Sequence, residues 1–253
     1  MCLDLEDGVG PDDKERAREA VAAFLCERRR GAEADAEIVV RINDPGDAAG
    51  GRDVEMLIST PLPDAVMVPK VNGTEVLTEL QGHLGSGMQA PSLLPLIETA
   101  WGLERVEAIA AAGLRLGALV FGGMDLSAEL GARFEWESLL YARSRVVHGA
   151  ALAGVGAIDV PWVPLNDPVG LEQETRRAAH LGFTGKLAIH PAQIDVIHRG
   201  MAPDAAELAA ARRVLEAARC SSEGVVVVDG RMVDRPVVVG AQRVLARAGE
   251  GSA

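Results

Sequence analysis

The sequence predicts an α/β protein of the TIM (β/α)8-barrel type, and three observations support this. Short apolar runs alternate with helical patterns at intervals of roughly thirty residues, seven such runs can be counted, and the chain of 253 residues has the length of one barrel domain. Steady alternation of strand and helix implies a parallel sheet with right-handed crossovers. A doubly wound open sheet is the alternative, but no GxGxxG segment follows the first run to support it.

The predicted strands and helices follow one another along most of the chain. The strands are the apolar or β-branched runs at 2–5, 37–43, 64–70, 93–98, 118–125, 157–162 and 185–191. The helices cover 14–30, 53–60, 74–84, 99–117, 136–154 and 170–181, where apolar residues recur at helical spacing. Because eight strands close such a barrel, seven units predict that the first β-α unit is lacking.

The C-terminal segment follows a different pattern. An Ala-rich helix is predicted over 203–219, a hairpin over 225–236 that turns at Asp229-Gly230, and a last helix over 238–247. We therefore expect a catalytic barrel domain over 1–200 and an appendage of helix, hairpin and helix over 201–253. This appendage would cover a site or reach a neighbouring subunit.

Composition and charge exclude several classes of protein. The chain has 48% hydrophobic residues, enough for a core, but no apolar run long enough to cross a membrane. Its net charge of −12 argues against a general binder of nucleic acid or of anionic membranes. The first residues lack the pattern of a signal peptide. Three cysteines without metal-ligand spacing, Cys2, Cys26 and Cys220, are expected to be reduced thiols in a cytoplasmic protein.

Two carboxylates follow neighbouring predicted strands in the central segment 93–125. Glu98 ends one strand, and Asp125 lies just past a Gly-Gly pair after the next. Parallel neighbours about 4.8 Å apart would bring both carboxylates to the same sheet edge. Oxygen ligands of this kind favour a hard cation such as Mg²⁺. On spacing alone an alternative stays open, in which Glu98 is a favourable charge at a helix start and Asp125 caps a helix.

Eight collinear segments resemble the HpcH/HpaI aldolase and citrate lyase family, in its citrate lyase β-subunit-like branch. They are LDLEDGVGPDDKERAR (3–18), VVRIN (39–43), VMVPKV (66–71), LIET (96–99), VFGGMDLSAELG (120–131), GAIDVPW (156–162), LGFTGKLAIHPAQI (181–194) and GRMVDRP (230–236). The resemblance supports the Mg²⁺ site and implies a homotrimer or a multiple of one. Family members begin with a strand and a helix ahead of LDLED, so we expect either a start codon further upstream or a degraded or specialised copy.

The resemblance also implies a reaction. Relatives include malyl-CoA and citramalyl-CoA lyases, so we expect a lyase that cleaves or forms a 3-hydroxyacyl-CoA thioester, with acetyl-CoA and a 2-keto acid as the other partners. Mg²⁺ would chelate the keto acid as Lewis acid and template. Arg41 ends a strand and carries a planar fork suited to a substrate carboxylate. An ion pair of Arg41 with Glu6 or Asp7 is the alternative.

Five further residues are assigned on the resemblance. Glu6 and Asp7 would orient Arg41 or a water at the metal, or else only shape a loop and cap a helix. Asp234 would reach the neighbouring subunit's site and exchange a proton with acetyl-CoA or its enolate, the alternative being a surface ion pair. Lys14 and Arg18, one turn apart, would hold the phosphates of CoA, and the alternative is a solvated helix face.

Two other functions stay open at this point. One is a citrate lyase β-subunit-like component that acts only with an acyl-carrier partner, which the missing first unit favours. The other is an aldolase of free keto acids, for which CoA would be irrelevant. The presence of Arg41, Glu98, Asp125 and Asp234 favours the CoA-thioester lyase.

Overall fold

A computed structural model describes residues 1–28, 36–220 and 225–249 of the chain. Seven parallel strands form one sheet, with neighbours in sequence order. The strands are β1 (Cys2–Asp4), β2 (Val39–Arg41), β3 (Ala65–Val68), β4 (Ser92–Ile97), β5 (Ala118–Phe121), β6 (Gly156–Asp159) and β7 (Gly185–Lys186).

The predicted α/β class is confirmed. The doubly wound alternative is wrong, because such a sheet reverses its strand order at a switch point. In the described residues β1 and β7 do not pair, and the description of the sheet as a TIM-type barrel that lacks its first β-α unit stays a prediction.

Eight helices of the described residues lie between or after these strands. They are α1 (Lys14–Arg28), α2 (Ala48–Ser59), α3 (Glu75–Leu84), α4 (Ala100–Glu104), α5 (Val106–Ala110), α6 (Gly123–Leu130), α7 (Trp136–Ala153) and α8 (Pro168–Leu181). The last two residues of the predicted helix 14–30 lie outside the described residues. The helix predicted over 99–117 is divided at Arg105, whose backbone leaves the helical region at φ −106° and ψ 12°. The strand predicted over 118–125 ends at Phe121, because α6 begins two residues later.

One face of the sheet carries an apolar cluster. Its buried members are Ala65, Met67, Leu94, Leu96, Ala118 and Val120, with Val39, Ile158 and Leu187 packed against them. Side chains on a strand alternate between faces, so residues two positions further along continue this face beyond the cluster. For β2 that residue is Arg41, and for β4 it is Glu98. The strand pattern therefore places a cation and an acid above the same apolar layer.

A charged network joins α7 to the end of β6 and to β7. Arg143 donates from Nε to Asp159 Oδ1 at 2.9 Å, and Lys186 donates from Nζ to Asp159 Oδ2 at 2.7 Å. All three side chains are at most 1% exposed. The Arg143 guanidinium also lies 4.5 Å from the ring centroid of Trp136 and 5.2 Å from that of Phe121. Because buried charges need partners, this network fixes α7 against the sheet.

The chain divides into two compact units. The first comprises Met1–Pro161 and His180–Leu187 and contains the whole seven-stranded sheet. The second comprises Trp162–Ala179 and Ala188–Ala253. Its described elements after 188 are α9 (Ile194–Met201), α10 (Ala205–Cys220), the antiparallel pair β8 (Val226–Val228) and β9 (Arg231–Val233), and α11 (Arg235–Arg247). The hairpin turns where it was predicted, with Asp229 at φ 52° and Gly230 at φ 73°.

The prediction of a domain boundary near residue 200 and of a covering role for the appendage stays a prediction. None of the helices in the described ranges is long and apolar enough to span a bilayer.

Candidate active site

Four predicted site residues of the first unit, Glu6, Arg41, Glu98 and Asp125, lie with Lys70 at the carboxyl ends of β1 to β5. Glu6 follows β1, Arg41 ends β2, Lys70 follows β3, Glu98 follows β4, and Asp125 lies in the first turn of α6 after β5. In parallel α/β sheets this is the edge at which ligands bind. Strand order therefore brings together residues that are far apart in the sequence.

Glu98 is the buried acid of this group, with 4% of its surface exposed. Its Oε1 accepts the backbone N–H of Lys70 at 2.8 Å, the one hydrogen bond to Glu98 found in the described part of the chain. Burial raises the pKa of Glu98 to about 8, although the Lys70 N–H and ammonium oppose the change. The negative charges of Glu6 and Asp125 raise this pKa further. A cation placed here would relieve the repulsion among these acids.

Gly122 makes room for the Glu98 side chain at the end of β5. A Cβ at this position would lie 2.3 Å from Glu98 Cβ and 2.8 Å from Glu98 Oε2. The alternative that Asp125 caps a helix is wrong, whereas Glu98 lies directly before the N-cap of α4, so its alternative role as a favourable charge at a helix start stays open. Thr99, not Glu98, caps α4, because its Oγ1 accepts the N–H of Gly102 at 2.9 Å. Gly122 is the N-cap of α6, so Asp125 is an exposed first-turn acid and not the cap.

The donor set fits Mg²⁺. No group of three or more His, Cys, Asp or Glu side chains placed to hold a metal is found among the described residues. Mg²⁺, however, uses one or two protein carboxylates and takes its other ligands from water and substrate. Glu98 and Asp125 meet this requirement, and Glu98 Oε2 carries no hydrogen bond within the described ranges. These two residues could hold the ion, with Glu6 as a further buried acid beside them.

Glu6 is a buried carboxylate whose neighbours are cations. Its Oε2 lies 2.8 Å from Arg41 Nη1, and its Oε1 lies 3.6 Å from Lys70 Nζ. Neither contact has hydrogen-bond geometry, so both buried oxygens lack a hydrogen-bond donor in the part of the chain described. Burial raises the pKa of Glu6, with the Arg41 charge opposing it. Asp7 is exposed and adds negative charge that acts on Glu6, Arg41 and Lys70.

Arg41 is held mainly by a residue that the sequence analysis missed. Asp4 accepts Arg41 Nε at Oδ1 over 2.8 Å and Arg41 Nη2 at Oδ2 over 2.6 Å. Burial works against the charge of Arg41, but the hydrogen bonds and charge of Asp4 outweigh it and raise the pKa of the guanidinium. Of the two ion-pair partners considered from the sequence, Glu6 is present as a second partner. A signal was available in the sequence. Side chains alternate between the faces of a strand, so Asp4, two positions before Glu6, is expected to point to the same side as Glu6.

Lys14 and Arg18 are engaged within the protein. Lys14 Nζ donates to the carbonyls of Leu5 at 2.7 Å and Glu6 at 2.6 Å, and to Asn43 Oδ1 at 2.7 Å. These three bonds use all the donors of an ammonium group. The solvated-face alternative is wrong for Arg18, which is 4% exposed and donates from Nε to Asp53 Oδ1 at 2.6 Å. Binding of CoA phosphates by either residue stays a prediction; for Lys14 it would require these contacts to break, whereas Arg18 Nη2 is buried and has no hydrogen-bond partner among the described residues.

Asp234 belongs to the second unit and caps a helix. It is the N-cap of α11, where its Oδ1 accepts the N–H of Val237 at 3.4 Å. This is a long bond, so the carboxylate is only weakly occupied by its own helix. No ion pair with Arg235, the alternative from the sequence, is found among the residues described. The catalytic role of Asp234 stays a prediction.

A singly wound parallel sheet with two acids and a clamped arginine at its carboxyl edge defines an enzyme of the metal-dependent aldolase and lyase class. The chain belongs to the HpcH/HpaI aldolase/citrate lyase family, which matches residues 1–191. It is 33% identical over 263 residues to the mitochondrial citramalyl-CoA lyase of Rattus norvegicus, covering 96% of this chain and 77% of that protein. The predicted family and the predicted carbon-carbon lyase class are confirmed.

Further relatives come from Mycobacterium tuberculosis. The citrate lyase subunit beta-like protein of strain H37Rv is 36% identical over 259 residues, covering 100% of this chain and 88% of that protein. A crystal structure of CitE from the same species, in complex with magnesium, acetoacetate and coenzyme A, has a TM-score of 0.83 and 35% identity. It covers 98% of this chain and 89% of that chain. The prediction of magnesium as the cofactor of this family is confirmed by that complex.

Proposed function

We propose that this protein is a Mg²⁺-dependent lyase that cleaves or forms 3-hydroxyacyl-CoA thioesters such as malyl-CoA or citramalyl-CoA. The observation that carries the proposal is the meeting of Glu98 and Asp125 with Arg41 and Glu6 at one sheet edge. The two acids offer a place for a hard cation, and the arginine beside them offers a place for a substrate carboxylate. The relatives named as citramalyl-CoA lyase and as a CoA complex support this substrate class.

The reaction in the cleavage direction is a retro-aldol step. The 3-hydroxyl group loses its proton and its carbon becomes the carbonyl of the 2-keto acid, while the bond between C2 and C3 breaks. The electron pair of that bond passes to the thioester enolate, which takes up a proton to become acetyl-CoA. When bound, Mg²⁺ would supply Lewis-acid stabilisation of the negative charge that develops on the keto-acid oxygens.

The chain's own residues divide the remaining tasks. Glu98 and Asp125 hold the metal. Arg41 binds the keto-acid carboxylate through donors that Asp4 leaves free. Lys70, whose side chain is 46% exposed and lies beside Glu6, adds positive charge at the mouth of the site.

Asp234 is the group we assign to the proton on the acetyl carbon. The resemblance implies that it acts in the site of a neighbouring subunit, so the proposal includes a homotrimer or a multiple of one in the cytoplasm. The weak hydrogen bond of Asp234 within its own helix supports this role, because the carboxylate remains available to a substrate. General acid-base work by a carboxylate would require its surroundings in the assembly to tune its proton affinity.

The test is mass-spectrometric detection of acetyl-CoA released from a panel of malyl-, citramalyl- and related CoA esters, with Mg²⁺ or with a chelator. We expect release by the wild-type chain only with Mg²⁺, and loss of release in Glu98→Gln. Glu79→Gln is the matched control, since Glu79 is an exposed acid on α3. Release that persists in the chelator, or in Glu98→Gln, would contradict the proposal.

A second candidate is a component that acts on a thioester borne by an acyl-carrier partner. Similarity to the citrate lyase subunit beta-like protein favours it. The same assay with carrier-bound substrates distinguishes the two, because this candidate predicts silence with every CoA ester and turnover with the carrier. Turnover of free hydroxy acids without any thioester would instead indicate the keto-acid aldolase.

A further inference from the structure

Asp4 accepts four hydrogen bonds at the end of β1, two on each oxygen. Its Oδ1 accepts Arg41 Nε at 2.8 Å and the backbone N–H of Glu6 at 2.9 Å. Its Oδ2 accepts Arg41 Nη2 at 2.6 Å and the backbone N–H of Gly8 at 3.0 Å. One carboxylate therefore ties the guanidinium of β2 to the turn that carries Glu6.

The strand register and a glycine both serve this contact. In the parallel pair of β1 and β2, Asp4 lies directly opposite Arg41, so their side chains leave the sheet on the same face. Gly8 allows the turn to close on the carboxylate, because a Cβ there would lie 2.4 Å from Asp4 Oδ2. Burial acts to raise the pKa of Asp4, but the hydrogen bonds from Arg41 and the turn lower it below its usual value. Asp4 is thus an ionised partner of Arg41 at neutral pH.

The contact decides which part of the guanidinium remains available. A guanidinium has five N–H donors in a fixed plane, and the Nε–Nη2 edge is used by Asp4. Nη1 meets Glu6 Oε2 at 2.8 Å. The donors left for a ligand are those at the Nη1–Nη2 end. Since 23% of the Arg41 side chain is exposed, this end is within reach of a small acid.

We propose that Asp4 is a positioning residue, which fixes Arg41 so that only its Nη1–Nη2 end is presented to the carboxylate of the substrate. The inference rests on the proposed function for the identity of the ligand, a 2-keto acid. It adds that substrate recognition depends on a residue that binds neither metal nor substrate. Loss of Asp4 would leave Arg41 charged but free to rotate, and Glu6 would become its main partner.

The first test is a double-mutant cycle on the full chain, with pyruvate as the probe and saturating Mg²⁺ in a calorimeter. We expect Asp4→Asn to weaken pyruvate binding about tenfold or more, as for loss of a charge-assisted bidentate pair. The double variant with Arg41→Ala should bind no worse than Arg41→Ala alone, because Asp4 acts through Arg41. Asp13→Asn is the matched control, since Asp13 is an exposed acid paired only with Arg16 in the described residues. It should bind as the wild type does.

Two further measurements keep the inference open to contradiction. The affinity for Mg²⁺ alone should change by less than about twofold in Asp4→Asn, since Asp4 is not a ligand. Gly8→Ala should reproduce the loss of pyruvate binding without altering any charged group. If Asp4→Asn does not fold, Gly8→Ala replaces it in the double-mutant cycle with Arg41→Ala. Wild-type pyruvate affinity in either variant, or losses that add in full to those of Arg41→Ala, would overturn the inference.

A failure of the proposed function would give a different result. If the wild type neither turns over any thioester nor binds pyruvate, the Nε–H resonance of Arg41 remains observable by NMR, assigned by its disappearance in Arg41→Lys. We expect this proton to exchange slowly with water in the wild type and rapidly in Asp4→Asn. Equal exchange in both would overturn the positioning role, whatever the enzyme's substrate.

Discussion

Lys70 donates its backbone N–H to Glu98 Oε1 across 2.8 Å while its own backbone is left-handed, at φ 52°. This conformation is uncommon for a residue with a side chain. It turns the chain after β3 so that a main-chain donor, and not a mobile side chain, fixes the buried acid. The same loop is held from the junction between α4 and α5, where Arg105 donates from Nη1 to the Asn72 carbonyl at 2.9 Å. The left-handed conformation of Lys70 therefore accompanies the hydrogen bond that its N–H donates to Glu98.

Replacing Lys70 separates the backbone effect from the charge. Lys70→Gly and Lys70→Ala both remove the ammonium, but only glycine adopts the left-handed conformation without a steric cost. We expect Lys70→Gly to be more stable than Lys70→Ala by about 1 kcal/mol. Urea unfolding of the two variants measures the difference. Equal stability would mean that the loop relaxes and does not hold Glu98.

Stability should depend on pH through Glu98. Its pKa in the folded protein is raised to about 8, so the folded state binds this proton more tightly than the unfolded state. The metal-free protein should therefore lose stability as pH rises from the unfolded pKa, about 4.3 for Glu, towards the folded value. The slope from this group is at most about 1.4 kcal/mol per pH unit. Chemical unfolding in a chelator measures it, with Glu98→Gln as the comparison.

The same linkage applies to the metal. Below the folded pKa, binding a cation to Glu98 must displace a proton, so affinity for Mg²⁺ should rise with pH by up to about tenfold per unit. The unfolding measurements of the wild type and Glu98→Gln test the pKa of Glu98. A difference in their free energies of unfolding that stays constant from acid to neutral pH would contradict the raised pKa.

Gly122 should be as important to the metal as the acids themselves. Gly122→Ala places a methyl group 2.3 Å from Glu98 Cβ and 2.8 Å from Glu98 Oε2, so the Glu98 side chain must move. We expect affinity for Mg²⁺ to fall about tenfold or more, because a ligand displaced by an ångström no longer completes the coordination. Gly51→Ala is the control, since no atom lies within 4 Å of a Cβ there. Calorimetric titration compares the two, and unchanged affinity in Gly122→Ala would place the metal elsewhere.

The network of Arg143, Asp159 and Lys186 predicts that two substitutions in it lower the free energy of unfolding by different amounts. Asp159→Ala removes a carboxylate shared by Arg143 and Lys186 and leaves two buried cations without it. We expect a loss of about 3–5 kcal/mol in the free energy of unfolding. Lys186→Met should cost less, because Asp159 keeps Arg143 and the new side chain fills the space. Thermal or urea unfolding decides, and a larger loss in Lys186→Met would contradict this ranking.

Much of the fold followed from the sequence because a parallel sheet with sequential strand order repeats one local pattern. The same regularity placed Glu98 and Asp125 together, since each follows a strand and neighbouring strands end at one edge. The helix over Gly123–Leu130 was missed because its Gly-Gly start is also the pattern of a turn. Arg105 could not be identified as a helix break, since its residue type is a good helix former.

The contacts that orient the site residues were beyond the sequence. Asp4 and Arg41 are 37 positions apart, and their bond depends on the register of two strands that no local pattern specifies. Lys14 was assigned to CoA on the family resemblance, together with Arg18 one helical turn away. Of its three acceptors in the structure, Asn43 lies 29 positions away. Patterns predicted which elements carry functional side chains, whereas tertiary packing determines which donors remain free.

The most direct measurement for the central claim is a crystal structure of the chain with Mn²⁺, in place of Mg²⁺, and pyruvate, using the anomalous signal of the metal. We predict one peak within about 2.3 Å of carboxylate oxygens of both Glu98 and Asp125, with the pyruvate carboxylate at the Nη1–Nη2 end of Arg41. A metal bound away from Glu98, or pyruvate bound without contact to Arg41, would contradict the account.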